Sequence, residues 1–338
     1  MNLLAVETSC DETAAAVLRD GRELLSSVVA SQVDMHARYG GVVPELAARA
    51  HLDAIAPTVD EALLALENRW DGVDAIVVTR GPGLIGSLLV GTAYAQSAAL
   101  MRGLPVVGVS HLAGHVYSAM LAEPDLQPPY LALVVSGGHT DCVLLRSHGD
   151  AVRLAATRDD AVGEAFDKVA RMLGLPYPGG PAVQRAAEGG DPSRFPLPRT
   201  RLDDSFSFSG LKTAVRYAVR DLGPSRLDSR GVPSDPQVVA DIAASFQRAA
   251  IDQLLTGLGR AVERSGADRI AVVGGVAANA PLREAVRARF SGLRVVIPPL
   301  QYCTDNAAMI AVAGWHRLQV HGPDTPGFDV DPGLGEFA

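Results

Sequence analysis

The chain has almost no lysine, little cysteine and few aromatics, and each shortage narrows what it can be. Of its 30 basic residues all but Lys168 and Lys212 are arginine. Those two are either positions that want a compact ammonium, which a guanidinium cannot replace, or ordinary surface lysines. The three cysteines, Cys10, Cys142 and Cys303, are odd in number and far apart, with no CxxC pair. That excludes a disulfide framework, argues against dithiol or zinc-ribbon chemistry, and fits a reducing cytoplasm. No apolar run reaches the roughly 20 residues that span a bilayer. The opening MNLLAVETSCDET has no basic leader-like start, so a cytoplasmic protein without membrane attachment is expected. Positive charge is also short: the net charge is −8 at a pI near 5.5, the wrong sign for binding nucleic acid by bulk electrostatics. Any RNA partner must then meet a local basic patch. There is no Gly-Lys-Ser/Thr phosphate loop and no GxSxG elbow, and the HExxH signature fails because Leu112 follows His111.

What is present is a core-forming chain of 338 residues, 48% of them apolar, enough for two domains or one two-lobed unit. Residues 1–31 read as three strands around a small polar turn. Residues 43–68 carry helical apolar spacing that Pro44 and Pro57 cap or break. A buried strand at 75–79 then runs through a glycine turn into an apolar helix at 84–101, and a strand at 105–109 leads to His111. The plan repeats: 131–146 is again strand, small turn, strand, and 270–290 is again strand, glycine turn, helix. Helices at 164–173, 180–188, 211–220 and 240–265 lie between, with polar loops at 192–209 and 223–235. This implies a duplicated α/β unit. The expected lobes are 1–126, with 307–326 packing back on it, and 127–306, followed by a flexible tail at 327–338. Four small-residue turns, 8–12, 136–139, 178–181 and 274–279, occupy strand-end positions of this plan. Such turns expose backbone N–H groups to phosphate, and together they favour a nucleotide cleft over ordinary turns.

His111 and His115 are spaced i, i+4, so on a helix at 112–120 both imidazoles leave one face, as bidentate metal ligands do. Asp305, between the apolar strand 295–298 and an apolar helix, qualifies as third ligand; alternatively it, or Thr304, caps that helix. His139 in the second glycine turn could face a ligand. His36 and His51 read as core or surface positions, and His148, His316 and His321 as solvated ones. Between residues 194 and 230, Arg194, Arg199, Arg201, Lys212, Arg216, Arg220, Arg226 and Arg230 face four aspartates, Asp203, Asp204, Asp221 and Asp228. The local excess is either a phosphate-backbone footprint or a solvated helix face.

The motifs VETSCDET (6–13), GPGLIGSLLVG (81–91), HLAGH (111–115), LVVSGGHT (133–140), GEAFDKVA (163–170), YPGGP (177–181), SFSFSGLKT (205–213), GGVAAN (274–279) and CTDNAAMIA (303–311) run in order along nearly the whole chain. In them the sequence closely resembles the TsaD/Gcp family, tRNA threonylcarbamoyladenosine transferases formerly called O-sialoglycoprotein endopeptidases. The resemblance implies an actin-like, hsp70-like (ASKHA) two-lobed fold with a nucleotide cleft. It also implies transfer of threonylcarbamoyl from its adenylate to N6 of the adenosine next to the anticodon in tRNAs reading ANN codons. By resemblance, His111, His115 and Asp305 hold one divalent metal, Fe(II) or Zn, and Val134, Val135, Ser136, Gly137, Gly138, Asp167, Gly180 and Asn279 bind substrate, with ATP or ADP able to occupy the same cleft. His139, Lys168, Lys212, Arg216 and Arg220 are candidate phosphate or tRNA contacts. Expected partners are tRNA, a shorter actin-like TsaB-like paralogue, a small TsaE-like P-loop ATPase and a separate threonylcarbamoyl-AMP synthase upstream. The sequence departs from the family at Ala307, where Gly is usual, and at Ala48, where Ser is common. A mixed anhydride needs positioning and charge neutralisation more than a covalent nucleophile. The weakly nucleophilic amine needs a proton acceptor, for which Asp11 or Glu12 is the candidate. Three rival readings are a non-catalytic actin-like scaffold, which would not need the metal set, the older metallopeptidase, against which Leu112 counts, and a sugar kinase of the same fold, whose Asp-x-Gly start Glu7-Thr8-Ser9 does not supply.

Overall fold

The computed structural model describes residues 1–199, 205–335 and 337. In chain order these form β1 (Asn2–Glu7), β2 (Glu12–Arg19), β3 (Glu23–Ser31), α1 (Val33–Ala37), α2 (Pro44–Ala62), β4 (Ala75–Gly81), α3 (Ile85–Arg102), β5 (Val106–Ser110), α4 (His111–Tyr117) and α5 (Ala119–Ala122). There follow β6 (Tyr130–Val135), β7 (Thr140–Ser147), β8 (Asp150–Thr157), α6 (Val162–Met172), α7 (Gly179–Ala187), β9 (Ser205–Phe206), α8 (Ser209–Asp221), α9 (Pro236–Ser265), β10 (Arg269–Val273), α10 (Ala280–Arg289), β11 (Arg294–Val296) and α11 (Ala307–His321). Two compact units result: residues 1–130, 145–152 and 296–338, and residues 131–144 and 153–295.

The first unit is built on a five-stranded sheet of order β3-β2-β1-β4-β5, with β1 antiparallel to β2 and parallel to β4. Every residue of β1 beyond Asn2 is buried, which is why the run LLAV shows no polar alternation. Packing of Leu4, Val6, Ile76 and Val78 against Ile55, Val59 and Ala62 of α2 forms its core. Pro57 lies inside α2 without ending it. A proline there removes one helical hydrogen bond, and the buried face of α2 outweighs that loss. The helix expected at 112–120 begins one residue earlier and is interrupted at Ser118, giving α4 and α5.

The second sheet has the order β11-β10-β6-β7-β8-β9. Read from its other end, β8-β7-β6-β10-β11 matches β3-β2-β1-β4-β5 position for position, which is the duplication expected from the repeated plan. Its third strand, β8, has no counterpart in the sequence pattern, because the half-exposed run DAVRLAAT carries no clear alternation. The long α9 is framed by an Asp235 cap, which accepts from the Gln237 amide at 2.9 Å, and by Gly266 in the left-handed conformation.

The segment after α11, expected to be flexible from 327, is tied down over its described residues. Asp324 pairs with the outer edge of β5, takes the Gly108 amide at 2.7 Å and accepts both arms of Arg317 at 2.8 Å. The Asp331 amide donates to the Arg80 carbonyl at 2.8 Å, and Leu334 and Phe337 are buried. Gly, Pro and Asp therefore serve here as turn formers that cover a sheet edge. Among the described residues no helix is long and apolar enough to cross a membrane.

Candidate active site

His111 is the first residue of α4 and His115 lies one turn on, so their rings meet edge to face with centroids 4.7 Å apart. Ser110 caps the helix, accepting from the Ala113 amide. Gly114 between the histidines lets α11 approach: a Cβ there would fall 2.7 Å from Ile310 Cδ1. Asp305 precedes α11 but does not cap it. Asn306 does, accepting from the Met309 amide at 3.0 Å, which overturns the capping alternative for Asp305 and Thr304. Asp305 Oδ1 instead lies 3.4 Å from His111 Nε2 and 3.3 Å from His115 Nε2. One ligand atom from each of the three residues lies within 4.8 Å of the others, and among the described residues this is the one such cluster. His115 is fully buried, yet neither ring nitrogen has a hydrogen-bond partner. An orphaned imidazole nitrogen beside a second imidazole and a carboxylate is a donor set that fits a borderline divalent cation.

Behind His111 stands Glu7, the last residue of β1 and fully buried. Its carboxylate accepts the Thr79 hydroxyl at 2.6 Å and the Ser9 amide at 2.5 Å, and lies 3.1 Å from His111 Nδ1. The Ser9 hydroxyl lies at the same 3.1 Å from Nδ1, so a proton there is held toward Glu7 and Ser9, leaving Nε2 to face Asp305. Burial works against charge throughout. At His111 it is overridden by Asp305 and Glu7, which hold the ring well above its ordinary pKa. Burial prevails at His115, whose pKa is lowered. Burial also pushes the Glu7 and Asp305 carboxyls up, but His111 outweighs it at both, with help from His115 at Asp305, and both end below the ordinary range. Sequence reasoning missed Glu7. The available signal was a carboxylate closing a wholly apolar strand.

The first turn, 8–12, packs against α3, where Thr8 donates to the Ser87 carbonyl at 2.9 Å and a Cβ on Gly83 would fall 2.5 Å from the Ser9 carbonyl. Burial raises the pKa of Asp11 and, with Asp11 and Asp305 adding to it, lifts Glu12 to about 8. Ser31 donates to Glu12 Oε1 at 2.9 Å, while Oε2 is buried without a partner.

In the second unit the turn 136–139 is closed by the Ser136 amide on the His139 carbonyl and by the Ser136 hydroxyl, which accepts the His139 amide. Gly137 and Gly138 are exposed and face open space, as Gly180 does, whereas a Cβ on Gly163 would fall 2.5 Å from the Ser136 carbonyl. Val134 and Val135, at the end of β6, are fully buried. Asp167 accepts the Gly179 amide at 2.7 Å at the start of α7. Asn279 caps α10 through Leu282 and donates to Gln247 at 2.9 Å. Lys168 and Lys212 meet on one carboxylate, Asp160, at 2.8 and 2.6 Å, and burial of Asp160 is outweighed by the two ammonium groups, which lower its pKa. Two compact charges sharing one carboxylate explain why lysine survives in an arginine-rich chain.

Much of the basic stretch is internally paired. Arg194 bridges Asp241, Arg199 bridges Asp252 and Arg230 bridges Asp228, at 2.6 to 2.8 Å. Arg220 bridges Asp221 and stacks over Tyr217, while Arg216 is exposed on α8. Arg201, Asp203 and Asp204 lie outside the described residues. His148 and His316, expected to be solvated, stack in parallel at 3.8 Å between centroids and both lie against Tyr117. His36 and His51 are fully buried.

Solved structures of low identity share the fold: HypF of T. kodakarensis (TM-score 0.65, 14% identity, 94% of this chain and 48% of that one) and component A of the Acidaminococcus fermentans (R)-2-hydroxyglutaryl-CoA dehydratase (TM-score 0.53, 14% identity, 94% and 99%). They bear out the actin-like α/β fold expected from the sequence. A protein of Anaeromyxobacter dehalogenans named tRNA N6-adenosine threonylcarbamoyltransferase is 51% identical over 98% of both chains. Proteins of the same name from Symbiobacterium thermophilum and Bacillus licheniformis are each 48% identical, over 98% and 92% of this chain and 96% and 90% of their own. The model of the family described as TsaD, tRNA N6-adenosine threonylcarbamoyltransferase, matches residues 23–312, and the chain belongs to that family.

Proposed function

We propose that this chain transfers threonylcarbamoyl from threonylcarbamoyl-AMP to N6 of the adenosine next to the anticodon in tRNAs that read ANN codons. The observation that carries the reading is the His111, His115 and Asp305 cluster, backed by Glu7, in a chain of this family. His111, His115 and Asp305 would hold one divalent metal, with Fe(II) preferred and Zn the alternative. When bound, that ion supplies Lewis-acid stabilisation of developing negative charge.

The chain's own residues do the rest. The open backbone at Gly137, Gly138 and Gly180, in the turn that Ser136 closes, with Asp167 and Asn279 fixing the adjoining helix starts, orients the nucleotide, and His139 lies in the same turn. Glu12, or Asp11 beside it, accepts the proton that the N6 amine loses as its nitrogen bonds to the carbamoyl carbon and AMP departs. Ala307 at the start of α11 is fully buried, so its methyl group is accommodated by packing. The exposed face of α8, through Arg216 and Arg220, contacts the tRNA backbone, while Lys168 and Lys212 act through Asp160.

The expected lobes, 1–126 with 307–326 and 127–306, are retained as functional units. A shorter actin-like paralogue docks on the first. The groove between α2 and α3, of about 850 Å³ and lined by Leu52, Ile55, Trp70, Tyr94 and Met101, supports that reading, since Leu52 and Met101 are 64% and 87% exposed. A small P-loop ATPase supports turnover and a separate synthase supplies the adenylate, all in the cytoplasm. The test is mass-spectrometric nucleoside analysis of tRNA incubated with the chain, its paralogue and preformed adenylate. Threonylcarbamoyladenosine is the expected product, and its absence overturns the reading.

A further inference from the structure

His36 and His51 are two fully buried histidines that the transfer reaction as described does not use. They belong to one hydrogen-bond chain whose direction is fixed at its start. The Val43 amide, at the head of α2, lies 3.3 Å from His36 Nδ1 and can only donate, so Nδ1 accepts and His36 is neutral with its proton on Nε2. That Nε2–H points to Gln32 Oε1 at 3.2 Å, which fixes the Gln32 amide. Gln32 Nε2 then points its N–H at His51 Nδ1 at 3.3 Å, sharing that nitrogen's one lone pair with the buried Thr13 hydroxyl at 2.7 Å. His51 is therefore also the Nε2–H tautomer, and its proton goes to the Cys10 carbonyl at 3.0 Å.

Cys10 immediately precedes Asp11 and Glu12. The same segment is held from a second side, because the Gln32 backbone N–H donates to the Asp11 carbonyl at 3.1 Å. Apart from His51, the Cys10 carbonyl receives the Ser87 hydroxyl at 3.3 Å. Removing the imidazole N–H would thus leave the Cys10 carbonyl on its longer bond.

We propose that His51 is a positioning residue for the turn carrying Asp11 and Glu12, oriented by a one-way chain from the Val43 amide through His36 and Gln32. Its catalytic consequence rests on the reading of that turn as proton acceptor in the transfer. His51 touches no reacting atom; it sets where the acceptor stands. Misplacing a catalytic group by a fraction of an ångström slows the chemical step while leaving binding nearly intact.

The test uses the full chain uniformly labelled with ¹⁵N, and two substitutions. Imidazole NMR of the unaltered chain should show both His36 and His51 as Nε2–H tautomers. His51→Phe, which keeps a ring and loses the N–H, should move the Asp11 and Glu12 amide signals. It should lower the single-turnover rate on preformed adenylate by about 10- to 100-fold while tRNA and adenylate affinities stay within about threefold. His51→Gln, whose amide can donate to the same carbonyl, should recover most of that loss. An Nδ1–H tautomer at either histidine, or unmoved amide signals, or a wild-type rate in His51→Phe, overturns the proposal. If the unaltered chain modifies no tRNA while the tautomers and amide shifts come out as stated, the function reading falls and the positioning of the turn stands.

Discussion

Glu7 Oε2 lies 3.1 Å from Nδ1 of His111, at the end of a strand whose other inner residues are all apolar. A fully buried carboxylate is expensive unless its lone pairs are used, and here Thr79, Ser9 and His111 use them. Its place behind His111, away from Asp305, makes it the group that orients the imidazole.

Glu7→Gln should therefore weaken metal binding while keeping the shape of the site. Outer-sphere partners of a ligating histidine typically contribute 10- to 100-fold in affinity. Competition with a chelator should show a loss of about that size, with metal stoichiometry recoverable at higher metal concentration. Unchanged affinity would reduce Glu7 to a packing residue.

Replacing the two histidines of the cluster should be more severe. His111→Ala combined with His115→Ala should abolish stoichiometric metal, read by elemental analysis, while far-UV circular dichroism shows the fold retained. Retention is expected because α4 also buries Leu112, Ala113, Val116 and Tyr117. Metal content equal to that of the unaltered chain would remove the site.

Charge reversal at Arg216 and Arg220 tests the nucleic-acid face. Removing a cation that neutralises one phosphate should weaken tRNA binding at every salt concentration and lower the slope of log affinity against log salt by about one. Arg216 should carry more of the effect, because Arg220 is already shared with Asp221 and Tyr217. An unchanged slope would leave α8 a solvated helix face.

How much of this was legible in the sequence depends on the range over which each feature is determined. The meeting of His111, His115 and Asp305 was legible because i, i+4 spacing is local and Asp305 stands at a strand end, where a third polar group was sought. The duplicated sheet was legible from two strand–turn–strand openings, while β8 was not, since a half-exposed strand takes its identity from its neighbour. Glu7 and the pairing of His51 with Gln32 depend on side chains 104 and 19 residues apart meeting in space, which no periodicity encodes. The bonds that Asp324 and Asp331 make with β5 and β4 were not legible, because glycine and proline mark both disorder and tight turns.

The identity of the proton acceptor is open to a test of sign. Burial, reinforced by Asp11, lifts the Glu12 pKa to about 8, so its basic form is scarce in neutral solution. If Glu12 accepts the amine proton, the single-turnover rate should rise about tenfold per pH unit from 6 toward 8 and then level, because only the ionised carboxylate works. Glu12→Gln should flatten that profile and lower the rate by about 100-fold or more. The same shift has a consequence for stability that is independent of substrate. A carboxyl whose folded pKa exceeds its unfolded value binds extra protons when folded, so its effect on stability worsens as pH rises from the ordinary 4.5 to about 8. Glutamine keeps an oxygen for Ser31 and never ionises. The melting temperature of Glu12→Gln relative to the unaltered chain should therefore increase steadily between pH 5 and 8. A flat rate profile alongside that thermal trend would move the base to Asp11, whereas absence of the thermal trend would show that the Glu12 carboxyl is not elevated at all.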